Sequence, residues 1–149
     1  MDRTITRTAA GATTNVGFLL AKASQRFNEL LVERFAERGF RDIRASYGSV
    51  LVPLFERDGQ RLGELAAVSR LSKQAMSGLV KLCEQDGLVV RERDGDDGRA
   101  FRLSLSARGR RFQVVADDVL HDLDEELVRS LGTRKHDALV EALKGVIDL

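Results

Sequence analysis

A run of polar and basic side chains between residues 72 and 81 is the part of this sequence best suited to chemistry with a charged partner. These side chains recur at helical spacing and would share one side of a helix: Lys73, Gln74, Ser77 and Lys81. Ammonium, amide and hydroxyl groups form hydrogen bonds with phosphates and with the base edges of nucleic acids. The segment therefore indicates a nucleic-acid contact, although an ordinary solvent-facing side of a helix can have the same composition.

The other side of this segment is apolar and would anchor the helix on a core. An apolar stripe of helical period is formed by Met76, Leu79 and Cys83, with Ala75 and Leu82 beside them. Ser72 is a suitable N-cap, because its hydroxyl can accept from the open N–H groups of the first turn. The pattern predicts a helix that begins after Ser72, and a shorter helix with a tight turn precedes it.

Two strands joined by a charged turn follow this helix. Residues 88–90 begin a β-type run, and Phe101, Leu103 and Leu105 alternate with polar residues as in a half-buried strand. Residues 94–99 lie between the strands, are too polar to be buried, and are expected to project into solvent. An arginine at such a tip, here Arg99, can enter a minor groove, where the phosphates concentrate negative potential.

The stretch from residue 62 to 105 resembles the winged helix-turn-helix of the MarR (multiple antibiotic resistance regulator) family. The matching pieces are LGELA, SKQAMSGLVKLCEQDGLV and DDGRAFRLSLSARGR. The resemblance implies a mainly α-helical fold with a small antiparallel β wing, of class α+β. It implies that Asp97 orients Arg99 for DNA, and that Ser72, Arg93 and the polar side of the second helix also contact DNA.

Three residues depart from the family pattern, and one of them, Ser69, replaces a usual apolar residue. Arg70 stands in the turn where the family often has glycine, so it is expected to adopt a left-handed conformation. Gly78 stands where an arginine often reaches DNA, and it weakens the middle of the helix by about 1 kcal/mol relative to alanine. Fewer base contacts than usual are expected.

The whole chain, residues 1–149, is predicted to be one domain with the winged helix-turn-helix at 44–105. Amphipathic helices at 13–38 and 107–149 flank it, the last one spanning 133–147, and a helix over 45–57 contains Pro53. The flanking helices are too few to cover one another's apolar faces. The resemblance implies that they form a homodimer interface, which would hold two recognition helices about 34–36 Å apart on a pseudo-palindromic operator.

A small ligand is implied by the resemblance, and nothing in the residues identifies it. A cavity is expected between the first helix and the winged helix, near Arg44 and Tyr47. Arg44 can pair with a carboxylate and Tyr47 can stack on an aromatic ring, although a surface arginine and a core tyrosine would look the same in sequence. An aromatic or anionic compound is therefore the expected ligand.

Charge is segregated along the 149 residues, although the chain as a whole carries +1. The balance of basic over acidic side chains is +2 for residues 1–56, +4 for 57–111 and −5 for 112–149. This distribution favours one basic face. The sequence has no long apolar run and no apolar N-terminal signal, and its single cysteine cannot form an internal disulfide. A cytoplasmic protein is expected.

Residue types that could support catalysis or metal binding are poorly placed for either. His121 and His136 lie on polar helix faces, where surface histidines are expected, and no glutamate closes a calcium loop begun by Asp94, Asp96 and Asp97. Cys83 lies on the apolar stripe and is expected to be buried and inert. We therefore expect no enzymatic activity, cofactor or metal.

These observations favour a homodimeric transcriptional repressor that binds double-stranded DNA and is released by a small ligand. The alternative is a winged helix used for protein–protein contacts, in which the basic face binds an acidic partner. Contact with a membrane is not expected.

Overall fold

A computed structural model describes residues 11–95 and 97–149 of the chain. Two 3-10 turns, at Ala12–Thr14 and Ala45–Tyr47, precede the first two α-helices. The regular elements are α1 Val16–Glu37, α2 Gly48–Glu56, α3 Leu62–Val68, α4 Lys73–Gln85, β1 Val89–Asp94, β2 Asp97–Leu105, α5 Ala107–Leu131 and α6 Thr133–Ile147. The predicted helical fold with a two-stranded antiparallel wing is confirmed. The helix predicted over 45–57 is divided between a 3-10 turn and α2, and Pro53 lies inside α2.

Serine side chains begin the two helices that flank the wing. The Ser72 hydroxyl accepts from the N–H of Ala75 at 3.1 Å, and the Ser106 hydroxyl accepts from the N–H of Gly109 at 3.0 Å. Each serine satisfies one of the N–H groups that a first helical turn leaves open. Ser72 is therefore the N-cap of α4, as predicted.

Arg70 closes the turn between α3 and α4 in the predicted left-handed conformation. Its φ is +53°, and it is the one non-glycine residue with positive φ in the part of the chain that the structure describes. The N–H of Leu71 donates to the carbonyl of Ala66 at 2.9 Å, which ends α3 in the Schellman pattern. The Arg70 guanidinium donates to the carbonyl of Ile147. The helix-turn-helix therefore contacts the C-terminal end of α6.

The wing is an antiparallel hairpin that packs one face on the core. Val89 pairs with Leu105, and Arg91 pairs with Leu103. Gln60 adds one isolated bridge to Leu103, with backbone hydrogen bonds of 3.1 and 2.7 Å. The segment before α3 therefore adds a single residue to the hairpin, because α3 already begins at Leu62.

The core lies where α2, α3 and α4 meet the wing and the first part of α5. Its fully buried side chains include Tyr47, Val50, Leu51, Leu65, Met76, Val80, Leu88 and Leu103. Phe35 of α1 packs edge-on against Phe112 of α5, with ring centroids 4.8 Å apart. These contacts join the winged helix to the helices outside it.

The outer helices leave apolar side chains uncovered in this chain. α6 buries none of its described residues. Its exposed apolar side chains are Leu139, Val140, Leu143, Val146 and Ile147. None of the helices within the described ranges is long and apolar enough to cross a membrane.

Candidate nucleic-acid interface

α4 is buried along one side and open along the other. Its buried side chains are Met76, Val80 and Cys83. On the open side, Lys73, Gln74 and Lys81 are exposed and Ser77 is half-buried. A β-carbon added to Gly78 would meet no described atom within 4 Å, so the middle of this side is flat and accessible. The structure therefore brings together the polar residues singled out in the sequence.

The buried row of α4 differs in detail from the predicted stripe. Val80 is fully buried, whereas Leu79 is half-buried and Ala75 is exposed. The helix packs through positions i, i+4 and i+7 of the row that starts at Met76, because α2 and α3 both lie against that row. This rotation keeps the predicted polar side in solvent.

The N-terminal end of α4 lies beside the start of α3. The aliphatic end of Lys73 passes over Gly63, where a β-carbon would lie 3.5 Å from Lys73 Cε. Glu64 accepts from the backbone N–H of Arg61 at 3.1 Å, and this bond lowers the pKa of the Glu64 carboxyl. The lysine ammonium is left exposed next to the helix-turn-helix.

The C-terminal end of α4 is fastened at Asp86 by residues from two other elements. The Tyr47 hydroxyl, from the 3-10 turn before α2, donates to the Asp86 carboxylate. Arg108 of α5 donates to the Asp86 carbonyl at 2.5 Å and to the Asp42 carboxylate at 2.7 Å. The bond from Arg108 lowers the pKa of Asp42, and burial together with the bond to Asp86 raises the pKa of Tyr47 to about 12.

Sequence reasoning missed the roles of Asp86 and Arg108, and the distances along the chain explain why. Tyr47 lies 39 residues before Asp86, and Arg108 lies 22 residues after it. Gly87, which ends α4 with φ +72°, marks the helix end in the sequence but does not identify what binds there.

The turn end of the wing is fixed by Asp94, the last residue of β1, for which the sequence prediction was wrong. Residues 94–99 were expected to project into solvent, but Asp94 is only 6% exposed. Its carboxylate accepts from Arg61 Nη2 at 2.5 Å and lies 3.2 Å from Arg102 Nε. A carboxylate can be buried here because two guanidinium groups compensate its charge. The wing is thereby tied to Arg61, the N-cap of α3.

Two further arginines lie on the strands of the wing, near this anchor. Arg93 on β1 and Arg99 on β2 are both exposed. Asp96 and the side chain of Asp97, to which the resemblance assigns the orientation of Arg99, lie outside what the structure describes. The polar side of α4 and the wing arginines thus belong to elements that are each fixed to the same core.

A cavity of about 80 Å³ lies between α1, α2 and α5, near the predicted Arg44 and Tyr47. It is lined mainly by apolar side chains, among them Leu31, Phe35, Ile43, Leu51, Val52, Phe55 and Phe112. Small-molecule sites usually have volumes of about 300–1,000 Å³. The cavity is therefore smaller than a small-molecule site of ordinary size. Arg44 is exposed at its edge, whereas Tyr47 is 1% exposed in its wall.

The other residues of reactive type are Cys83, His121 and His136, and their surroundings are those of structural or surface side chains. Burial raises the pKa of Cys83 to about 12, so its thiol is protonated at neutral pH. His121 is exposed as expected, but His136 is not a surface histidine, since its side chain is 13% exposed and lies 2.7 Å from Asp124 and 3.2 Å from Asp137. These carboxylates raise its pKa. Among the described residues, no group of three or more His, Cys, Asp or Glu is arranged to hold a metal.

Comparison with known proteins confirms the resemblance and the fold. Residues 55–100 match the MarR_2 model of the MarR family. A probable transcriptional regulator from Pseudomonas aeruginosa is 23% identical, with a TM-score of 0.77 over 89% of this chain and 97% of that chain. The S. aureus MepR–DNA complex is 18% identical, with a TM-score of 0.77 over 90% and 96%.

The PcaV transcriptional regulator from Streptomyces coelicolor, in complex with its natural ligand, is also 18% identical, with a TM-score of 0.77 over 95% and 97% of the two chains. No curated protein sequence matches this chain significantly. Similarities at this level establish a shared winged-helix fold.

Proposed function

We propose that this chain, whose winged helix matches the MarR family, is a sequence-specific DNA-binding transcriptional regulator. The exposed polar side of α4, on a helix fixed at both ends, is the observation that carries the proposal. A rigid helix with amide, hydroxyl and ammonium groups on its free side suits a major groove, and the adjacent wing suits a minor groove. The MepR complex with DNA, which has the same fold, supports this function.

We assign the DNA contacts by the chemistry of each side chain. Gln74 and Ser77 read base edges, because an amide can bond adenine at two positions and a hydroxyl can donate or accept. Phosphates are bound by Ser72, Lys73, Lys81 and Arg93, and the minor groove is entered by Arg99, oriented by Asp97. The Ser72 hydroxyl accepts in its capping bond and still has a proton to donate to a phosphate.

We further propose that the chain acts as a homodimer and as a repressor. The regions 13–38 and 107–149 would form the dimer interface, because α6 leaves its apolar side uncovered and α1 begins with exposed Val16, Phe18 and Leu19. Two copies of the 44–105 region would then read successive major grooves of a pseudo-palindromic operator. Such a protein would work in the cytoplasm and would bind DNA rather than catalyse a reaction.

Release from DNA would follow when a small aromatic or anionic ligand enters the cavity beside Arg44 and Tyr47. The ligand-bound PcaV structure supports a ligand-responsive regulator of this fold. A ligand shifts the equilibrium between two dimer geometries only if it binds them unequally. We infer that the ligand would favour a geometry in which the cavity is wider, because the volume of the cavity is small.

A salt titration of binding to duplex DNA tests the proposal against the protein-contact alternative. Affinity for duplex DNA is expected to fall steeply with salt, because phosphate-bound cations are released on binding. Gln74→Ala is expected to change base preference at one position by about 1–3 kcal/mol, whereas Lys81→Ala lowers affinity for all duplexes alike. Arg99→Ala should weaken operator binding without unfolding the chain. Absence of salt-dependent DNA binding would favour the protein-contact alternative.

A further inference from the structure

The recognition helix α4 ends against the wall of the cavity, and one hydrogen bond joins the two. Tyr47 lines the cavity with its ring and is 1% exposed. Its hydroxyl leaves the cavity side and donates to the carboxylate of Asp86, the C-cap of α4. The wall and the helix end are therefore in direct polar contact.

Asp86 is an unfavourable residue at this position unless it has a partner. A helix carries partial negative charge at its C-terminus, so a carboxylate there is repelled by the open carbonyl groups. Tyr47 donates to the carboxylate, and Arg108 donates to the Asp86 carbonyl at 2.5 Å. Asp86 thus weakens the helix end locally and connects it to α5 and to the turn before α2.

We propose that Tyr47 is a positioning residue for DNA recognition, which sets the direction of α4 from the cavity wall through its hydrogen bond to Asp86. The proposal rests on the proposed DNA-binding function. Arg108 binds the main-chain carbonyl of Asp86, and Tyr47 binds its side-chain carboxylate. Two contacts at different atoms of the C-cap fix the direction of the α4 axis, which one contact would not. Ser72 caps the other end.

The wall of the cavity opposite Tyr47 is tightly packed, so a ligand in the cavity would displace the Tyr47 wall more easily. Phe112 contacts Phe35 with centroids 4.8 Å apart and Phe40 with centroids 5.1 Å apart, so that side is filled by packed rings. Tyr47 lies between the cavity and Asp86, so a displacement of this wall would be passed through the hydrogen bond to the end of α4.

The composition of the chain offers a direct measurement of this bond. Tyr47 is the only tyrosine, and the chain has no tryptophan, so its ultraviolet emission reports this residue alone. A carboxylate that accepts from a phenol quenches the emission. Asp86→Asn is expected to raise the emission, while Glu56→Gln, which makes the same carboxylate-to-amide change at an exposed residue outside the cavity lining, leaves it unchanged.

Operator affinity of the full-length chain gives the second measurement. Tyr47→Phe keeps the ring and removes the hydroxyl, and it is expected to weaken operator binding about tenfold, as loss of a hydrogen bond to a charged group does. Asp86→Asn is expected to weaken binding by a similar factor, and the double variant should bind no more weakly than the weaker single variant. Glu56→Gln, the matched control for the loss of a carboxylate, should bind within about twofold of the wild type.

Three results would overturn the proposal. The first is wild-type operator affinity in Tyr47→Phe, and the second is a double variant whose loss of affinity is the product of the two single losses. The third is tyrosine emission that does not change in Asp86→Asn. If the wild-type chain bound no duplex DNA, the proposed function would be refuted, and so would the role of Tyr47 in DNA recognition. An emission increase in Asp86→Asn would still establish the bond in that case.

Discussion

The contact between Gly109 of α5 and the carbonyl of Leu88 predicts a large effect from a single added methyl group. Gly109 is buried in the first turn of α5, and a β-carbon there would lie 2.2 Å from Leu88 O and 3.3 Å from Leu105 Cδ2. That carbonyl also accepts from the N–H of Ser106 at 2.9 Å. Gly109→Ala must therefore push α5 away from the exit of the recognition helix.

The expected change in the free energy of unfolding follows from two opposing effects. Overpacking a filled site costs about 1–3 kcal/mol. Replacing glycine with alanine inside a helix raises the free energy of unfolding by up to about 1 kcal/mol, and this gain is smaller in the first turn of a helix. Gly109→Ala is therefore expected to destabilise the chain by roughly 1–2 kcal/mol, which corresponds to a fall in Tm of a few degrees.

Gly78→Ala is the matched control, because it makes the same chemical change where no described atom lies within 4 Å. It is expected to stabilise the chain by about 1 kcal/mol, since Gly78 lies in the interior of α4. Urea unfolding followed by far-ultraviolet circular dichroism, at one protein concentration, measures both variants. Equal stability of the wild type and Gly109→Ala, or a loss of stability in Gly78→Ala, would refute this reasoning.

Two further predictions concern the outer helices. The pKa of His136 is raised in the folded chain, so its stabilising contribution is complete below pH 6.5, its unfolded value, and disappears as the pH rises through the folded value. The loss of stability above pH 6.5 should therefore be smaller in His136→Gln than in the wild type. Deletion of residues 133–149 should produce monomers with greatly reduced operator affinity in sedimentation and binding assays, and a truncated chain that stays dimeric would contradict the proposed interface.

Local patterns in the sequence were sufficient to predict the elements and the polar side of α4. The cap at Ser72, the left-handed Arg70 and the bounds of α6 follow from residues that are near one another in the chain. Capping, turn geometry and helical period act over a few residues, so a single sequence expresses them.

The contacts that fix the site could not be predicted, because they join residues far apart in sequence. Asp94 looked like part of a polar turn, and its burial depends on Arg61, which lies 33 residues earlier. His136 lies on a polar helix face, and its side chain is partly covered through its contact with Asp124 across the α5–α6 connection. At such positions the local composition predicts exposure, but an oppositely charged side chain from another element allows the charged group to be covered.

The exposed apolar side of α6 has a consequence for how long the protein survives in a cell. A separate helix of 15 residues is only marginally stable in water, and α6 gains little from its own chain because it buries none of its described residues. In the proposed dimer, the partner supplies the missing surface. A copy without a partner would therefore have a frayed C-terminal end, which proteases cut readily. Turnover would remove unpaired copies first, so the amount of the protein in the cell would follow the amount assembled into dimers.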